Sequence, residues 1–534
     1  MENKRQIINI VNFIRGYNSE PQPEGETYRT VLEQIKLIDK YNFKSTFLIQ
    51  YDALTFPEYQ KLMPSLDKER YEIGVWFEIH KPLAEDCGIE WRGRREWDGH
   101  VHCGFSMGYS QEERAKLLDK LFEKFHEVMG YYPRVFGSWF FDTFSVRYIQ
   151  EKYGLDALCN CKEQYGTDGY TLWGGYYGQA YYPSLKNVFI PAQNTAEQLN
   201  VPLFRMLGSD QVYQYDYGTK KDFSPRPTQA VITLEPVYHE AGGGLPKWVD
   251  WYMKENFNGE CLSFCYAQAG QENSFGWKRM KDGLRYQFEL FSKLEKENKI
   301  EIETLGESGR WFKNTYPSTP ASTITAHSAF DDPNKNSVWY CSKNYRINLY
   351  GEDQHLRIRD LHIFDESMED PFENTVCKKN YAIYETLPAV DGFIYSGNGI
   401  KSGMYFTDKN SSKELSYNNM IFTEKSESSA EIEFTGNNGN IKFTLNENEV
   451  EILSENDFII ENKIGRKEGL KYKFGKEGSH GTFFPSVCKQ TENELELSYR
   501  GKKYAIILSA GTFLNEKKIC SQNGKIKAEF KLIK

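Results

Sequence analysis

Residues 7–50, IINIVNFIRGYNSEPQPEGETYRTVLEQIKLIDKYNFKSTFLIQ, set the pattern that the first half of the chain repeats. IINIVNFI (7–14) is a short apolar run and reads as a buried strand. In TYRTVLEQIKLIDKYN (27–42), Val31, Ile35, Leu37, Ile38 and Tyr41 recur at helical spacing. KSTFLIQ (44–50) is apolar again. A strand, a helix long enough to cross over and a second strand make a parallel βα unit.

Working outward, EYQKLMPSLDKE reads as a short helix interrupted by Pro64, and YEIGVWFEI (71–79) as a third strand. SQEERAKLLDKLFEKFHEVMG (110–130) is a helix with Ser110 and Glu113 as a capping box and Gly130 as the stop. RVFGSWFF (134–141) follows as a strand and SVRYIQEKYG as a helix; further strands are expected at PLFRML (202–207), QAVITLEPVY (229–238), CLSFCYA (261–267) and IEIETL (300–305). A long helix, GWKRMKDGLRYQFELFSKLEKEN, precedes the last of these. Seven or eight such units suit an α/β barrel, whose chemistry sits on the loops that follow the strands. Near YPSTPASTITA (316–326) the helical periodicity ends, and segments such as EIEFTGNNGNIKFTLNENEVEILSENDFIIENKI (431–464) alternate apolar and polar residues between turns. The expected architecture is a barrel over 1–316 and a C-terminal antiparallel β-sandwich over 317–534.

Composition fits this reading: 534 residues exceed a single core, 39% are hydrophobic and 15% aromatic. The net charge of −9 comes without a basic block, so nucleic acid is not an expected partner. No apolar stretch is long enough to span a membrane. The opening apolar run carries Asn9 and Asn12 and lacks a small-residue cleavage site, so it reads as a strand rather than a leader. Ten scattered cysteines, with Cys159/Cys161 and Cys261/Cys265 the close pairs, read as free thiols of a cytoplasmic protein.

Four loops carry candidate chemistry. In EIGVWFEIHKPL, Glu78 and His80 lie two apart and project to one side of an extended backbone, a carboxylate beside an imidazole that can bind metal or pass protons. The plainer alternative is an ion pair of Glu78 with Arg92, Arg94 or Arg95. His100 and His102 follow closely, so His80, His100 and His102 form a candidate zinc set or a group of substrate hydrogen-bonders. Asp142, at the end of the strand FGSWFF, stands where a barrel places a nucleophile or base, or caps the helix that begins near Ser145. Glu235 interrupts an apolar run, which is costly unless the acid is paired or functional, and Glu240 opens the Gly-rich loop beside His239. In CYAQAGQENSFGW, Gln268, Gln271, Glu272 and Asn273 lie beside Tyr266 and Trp277, a mixture of edge hydrogen-bonders and flat faces that suits sugars. Trp91, Trp97, Trp139, Trp173, Tyr176 and Tyr177 extend it, each also explicable as core. Asp210 and Asp216 follow another strand with the same two readings. There is no GxSxG elbow or P-loop, and AGGGLPKW lacks a dinucleotide-site context.

The order of KSTFLIQ, YEIG…HKP, YYPRVFG and ETLGESGRWF resembles the glycoside hydrolase/deacetylase superfamily, a (β/α)7 barrel group that includes NodB-type polysaccharide deacetylases and family 57 and 38 glycosidases. The resemblance covers residues 1 to about 315. A NodB-type deacetylase carries an Asp-Asp pair after its first strand, where this chain has Arg15 and Gly16, and its HxxxH motif here reads Trp76 to His80. A family 57-like glycosidase places a carboxylate nucleophile after the fourth strand, the place of Asp142, and an acid later, for which Glu235, Glu240 and Glu272 compete. The expectation is a carbohydrate-active enzyme, favoured as a metal-independent glycoside hydrolase with Asp142, Glu235, Glu272 and Glu78 catalytic and no cofactor. Arg15, Trp76, His80, His100, His102, Trp139, Glu240, Gln271 and Trp277 would bind an oligosaccharide or glycoside. The alternatives are a deacetylase with a divalent metal at His80 and His102, and a non-catalytic glycan-binding protein.

Overall fold

The computed structural model describes residues 4–16, 23–160, 170–217, 219–224, 231–417, 419–436, 439–467, 471–474, 477–481 and 484–533. Seven parallel strands form a curled sheet in chain order: Gln6–Ile14, Ser45–Ile49, Tyr71–Trp76, Val135–Gly137, Ala157–Asn160, Leu203–Arg205 and Cys265–Ala269, the last returning to pair with the first. The ring closes where the sixth strand runs on and Gly208 N donates to Gln268 O at 2.9 Å. The short strand Glu301–Glu303 lies parallel to Ile7–Asn9. Period-two alternation explains the two layers. Ile7, Val11, Phe13, Leu48, Trp76, Val135, Cys159, Phe204 and Tyr266 form one core cluster inside the barrel. Ile8, Ile10, Ile14, Phe47, Ile49, Ile73 and Val75 belong to the larger cluster that includes helix residues Val31, Ile38 and Leu121. Gly270 ends the seventh strand at φ +111°, where a Cβ would stand 2.0 Å from Val11 O, so only glycine lets that strand close against the first.

The capping box at Ser110 is present, with Ser110 N donating to Glu113 Oε2 at 2.8 Å and Glu113 N to Ser110 Oγ at 3.2 Å. Pro64 sits in the last turn of the helix Pro57–Ser65. One expected strand is corrected. Among the described residues of QAVITLEPVY the pairing stops at a single bridge of Thr233 with Ser209, made by Leu234 N on Gly208 O and Asp210 N on Ile232 O, while Ile232 N turns to the Gln214 side chain.

After the helix Leu305–Thr315, the chain enters two large antiparallel sheets. One runs from Ser322–Ala326 through Lys335–Cys341, Tyr345–Glu352 and His355–Ile363; the other is centred on Glu449–Ser454, Lys525–Ile533 and Lys502–Ala510. Rings from the two sheets meet between them, Phe406 with Phe443 at 5.7 Å and Tyr345 with Phe530 at 4.8 Å, as in a sandwich core.

Barrel and sandwich are stitched together. Tyr170–Trp173 pairs in parallel with Ala382–Glu385, and Cys377 N donates to Met107 O at 2.7 Å. Between them lies a buried network in which Arg346 Nε and Nη2 donate to the two oxygens of Asp360 at 2.9 and 2.7 Å, joined by Tyr215 Oη at 2.9 Å. Asp391 accepts from Trp173 Nε1 at 2.7 Å, lies 3.1 Å from His362 Nε2, and takes the backbone N–H groups of Phe393 and Ile394. Gly174 makes room for it: with φ +80°, its Cβ would stand 2.1 Å from His362 Nδ1. Nine cysteines among the described residues are free thiols; Cys261 and Cys265 have their sulfurs 3.2 Å apart. Among the described residues no helix is long and apolar enough to cross a membrane.

Candidate active site

The same alternation that builds the barrel interior carries polar side chains to its mouth. Continuing Ile7, Val11 and Phe13 by twos reaches Arg15; continuing Leu48 reaches Gln50; continuing Trp76 reaches Glu78 and His80. These residues converge with Glu272 from the loop after the seventh strand. Arg15 Nη2 stands 2.9 Å from both oxygens of Glu78, and its Nη1 donates to Glu272 Oε1 at 3.1 Å. All three side chains are buried, at 3%, 1% and 3% exposure. Gln50 Nε2 and Trp97 Nε1 add donors to Glu78 Oε2 at 3.3 and 3.1 Å, and the Trp97 ring lies 4.9 Å beneath the guanidinium. Asn273 pins the loop, accepting from Arg15 N at 2.9 Å and donating to Arg15 O at 2.8 Å.

Electrostatics follow from this packing. Burial pushes the Glu78 carboxyl above its ordinary value; Arg15 opposes the shift and Glu272 adds to it. Burial, with Arg15 nearby, pulls His80 down to about 3, so its imidazole is neutral at neutral pH. Asp52 N donates to His80 Nε2 at 3.3 Å, which makes Nε2 the acceptor and places the ring proton on Nδ1. Asp52 also accepts from Gly16 N at 2.8 Å and so ties the loops after the first and second strands.

Glu78 and Glu272 differ in one respect that matters chemically. Both oxygens of Glu78 are taken by N–H donors. Glu272 Oε1 is taken by Arg15 and Ser274 Oγ, while Glu272 Oε2 accepts no hydrogen bond among the described residues. Glu235 lies alongside, linked through the residue that precedes Glu272: Gln271 Nε2 donates to Glu235 Oε1 at 3.2 Å, and Thr233 Oγ1 to Glu235 Oε2 at 2.9 Å. Gln271 is itself fixed, its N donating to Asn12 Oδ1 at 3.2 Å and its O accepting from Gln34 at 3.0 Å. Below the charged layer, Trp76 stacks on Phe13 at 4.4 Å, and Trp139 meets Trp76 edge-on at 5.5 Å.

Other sequence candidates fall outside this group. Asp142 is the cap of the helix Thr143–Tyr153, accepting from Ser145 N at 3.0 Å and Ser145 Oγ at 2.7 Å, and it pairs with the buried Arg114 at 2.9 Å. Its charge is spent on the helix and on that arginine, which leaves no oxygen for a substrate. Arg92 and Arg94 pair with Glu113 and Asp98, so the cation that meets Glu78 is Arg15. His100 holds Asp98 at 2.7 Å and stands 6.0 Å, ring to ring, from His102. Among the described residues the one group able to hold a metal by ligand proximity is Asp360, His362 and Asp391, so His80, His100 and His102 do not converge as a zinc set. Glu240 is exposed beside His239. Trp277 starts a helix, its N–H donating to Glu26 at 3.1 Å, and is buried. Gln50 and Asp52 escaped the sequence reading; Gln50 was reachable by extending the parity of Leu48 two residues further.

Neither a comparison with protein-family models nor one with curated proteins finds a match. Solved structures do. The chain is similar to a structure from Parabacteroides distasonis assigned as a glycoside hydrolase/deacetylase, with TM-score 0.55 and 15% identity over 72% of this chain and 91% of that one. A polysaccharide deacetylase assignment from Mycobacterium smegmatis matches at TM-score 0.36 and 12% identity over 59% of this chain and 92% of that one. The first likeness is one of fold: the chain shares the architecture of that structure.

Proposed function

We propose that the chain is a carbohydrate-active hydrolase that cleaves a glycosidic bond with two carboxyl groups and no metal. The carrying observation is Glu272 Oε2 at the barrel mouth, which accepts no hydrogen bond among the described residues while Arg15 and Ser274 hold its other oxygen. Arg15 and Ser274 hold Oε1, so Oε2 is the oxygen left to attack an anomeric carbon or to take a proton from water. Glu235, buried and tied through Gln271 to the same loop, is the companion acid. Gln271 and Thr233 hold it through neutral groups, where Asp142 and Glu78 are held by arginines, and the Thr233 hydroxyl can turn to accept from a protonated carboxyl that then serves the leaving oxygen. Glu78, saturated by four donor contacts, holds Arg15 in place and takes no direct part. The fold shared with a structure assigned to glycoside hydrolysis or deacetylation, and the partly exposed Trp97 and Trp139 rings, support a sugar substrate.

A metal of the deacetylase kind does not fit these residues. A guanidinium already donates to both carboxylates, and a divalent cation placed between them would meet its positive charge at hydrogen-bond distance. The test is a panel of aryl glycosides with wild type and Glu272→Gln. A loss of roughly 10³-fold or more in kcat with retained fold supports the assignment; undiminished turnover by Glu272→Gln sinks it.

A further inference from the structure

A second cleft, away from the mouth residues, opens between the loop that follows the sixth barrel strand and the sandwich. Its cavity measures about 200 Å³, room for one ring rather than a chain. Its charged lining is Lys220, Lys335, Arg357 and Lys401 against Asp216 and Glu352, a positive excess on a chain whose net charge is −9. The two carboxylates are already over-subscribed. Asp216 Oδ2 meets Arg359 at 2.9 Å and Arg357 at 3.7 Å; Glu352 meets Lys401 at 2.6 Å and Lys335 at 3.7 Å, with Asp332 also 3.4 Å from Lys335. Asp222, the acid nearest in sequence to Lys220, is turned onto Ser224 N and Oγ at 3.0 Å.

Flat faces accompany the cations. Phe223 is held at φ +60°, a left-handed backbone that aromatic residues rarely adopt, and its ring lies 5.0 Å from Lys401 Nζ. Tyr350 carries Arg359 over its ring at 4.1 Å and Arg357 at 5.5 Å, and Tyr213 carries Lys335 at 4.9 Å. Behind the wall, Arg359 is fully buried and its Nη2 makes no hydrogen bond among the described residues. Four cations line the cavity against two carboxylates that each serve two cations, and Lys220 has no ion pair among the described residues, which favours a negative ligand; rings at the same cavity favour one with an apolar face.

We propose that this cleft binds the carboxylate-bearing ring of an acidic sugar, a uronic acid residue. The carboxylate meets Lys220, Lys401 and Arg357 while the C–H face of the ring lies on Tyr350 or Phe223. The choice of a sugar rests on the carbohydrate reading above; the choice of an anion rests on the cleft alone.

The experiment is calorimetry and ligand-observed NMR on the full chain with D-glucuronate, D-glucose, glucose 6-sulfate and inorganic sulfate. Saturable glucuronate binding at least about tenfold tighter than glucose, lost by about tenfold or more in Lys220→Glu/Lys401→Glu, supports the site. Lys220→Glu alone, an exposed change, serves if the double variant does not fold, and a several-fold loss is expected from it. Equal binding of glucose overturns the anionic assignment. Equal binding of glucose 6-sulfate overturns the carboxylate, and full competition by inorganic sulfate overturns the sugar. Glu272→Gln should bind glucuronate unchanged, so a chain that binds it but hydrolyses nothing refutes the hydrolase and leaves this cleft standing.

Discussion

The barrel mouth and the barrel–sandwich seam use the same parts to different ends. Each has one buried arginine, two buried carboxylates and a buried histidine: Arg15, Glu78, Glu272 and His80 at the mouth; Arg346, Asp360, Asp391 and His362 at the seam. At the seam all four carboxylate oxygens are engaged by donors or the imidazole. At the mouth one oxygen, Glu272 Oε2, accepts no hydrogen bond among the described residues. A saturated network is a lock; an unsaturated one beside a cation is a place where chemistry can start.

The largest effects should come from removing either arginine. Arg346→Met and Arg15→Met each leave buried carboxylates uncompensated, and each should cost about 3–5 kcal/mol in urea unfolding. If Arg15→Met costs far less than Arg346→Met, the mouth is wetter than the seam and the comparison weakens.

Acid and base should separate the regions next. His80 is depressed from 6.5 to about 3, so the folded state binds fewer protons than the unfolded chain between those values. Its contribution is intact above pH 6.5 and is lost as pH falls toward 3, on the order of a few kcal/mol, and His80→Gln should flatten that limb. Asp370, from the sandwich, behaves oppositely. Burial, with Asp142 nearby, raises it from 3.8 to about 6 while it accepts from Thr143 N at 2.8 Å. The folded state holds its proton longer, so stability is greatest below pH 3.8 and declines as pH rises through 6. Asp370→Asn should remove this decline in pH-dependent melts.

Carboxylate swaps sharpen the contrast further. Asp360→Asn should cost about 2–3 kcal/mol and leave turnover per folded molecule intact, because only structure depends on it. Glu272→Gln should change stability by less than about 1 kcal/mol and remove turnover. The reverse pattern would exchange the roles assigned to the two regions. Smallest of all, Gln50→Leu removes one of four donor contacts to Glu78 and should cost about 1 kcal/mol, with a modest fall in kcat.

Much of the barrel is legible in the sequence because parity and helical spacing are local. Arg15, Glu78, His80 and Glu272 stand in loops after apolar runs, and the rule that inspects those loops finds them. Asp142 shows where locality ends. An acid between a strand and a helix suits a nucleophile and a cap equally, and the arbiter is Arg114, on a helix that reads only as amphipathic. Glu235 misleads differently: its apolar flanks suggest a strand, but they make a single bridge, Thr233 with Ser209, and Ile232 N is taken by a glutamine side chain. The seam is illegible in principle, since its parts come from Trp173 in the barrel half and from sandwich strands that meet only after folding.

The parallel pairing of Tyr170–Trp173 with Ala382–Glu385 has a consequence for biogenesis. During synthesis the first strand leaves the ribosome roughly two hundred residues ahead of its partner, which at about 5–20 residues per second is a wait of about 10–40 s. Throughout that interval the Tyr170–Trp173 segment lacks its partner strand and the Trp173 indole lacks Asp391, its acceptor in the folded chain. The seven-stranded barrel can close on its own, and the two-stranded ribbon that ties it to the sandwich is completed last.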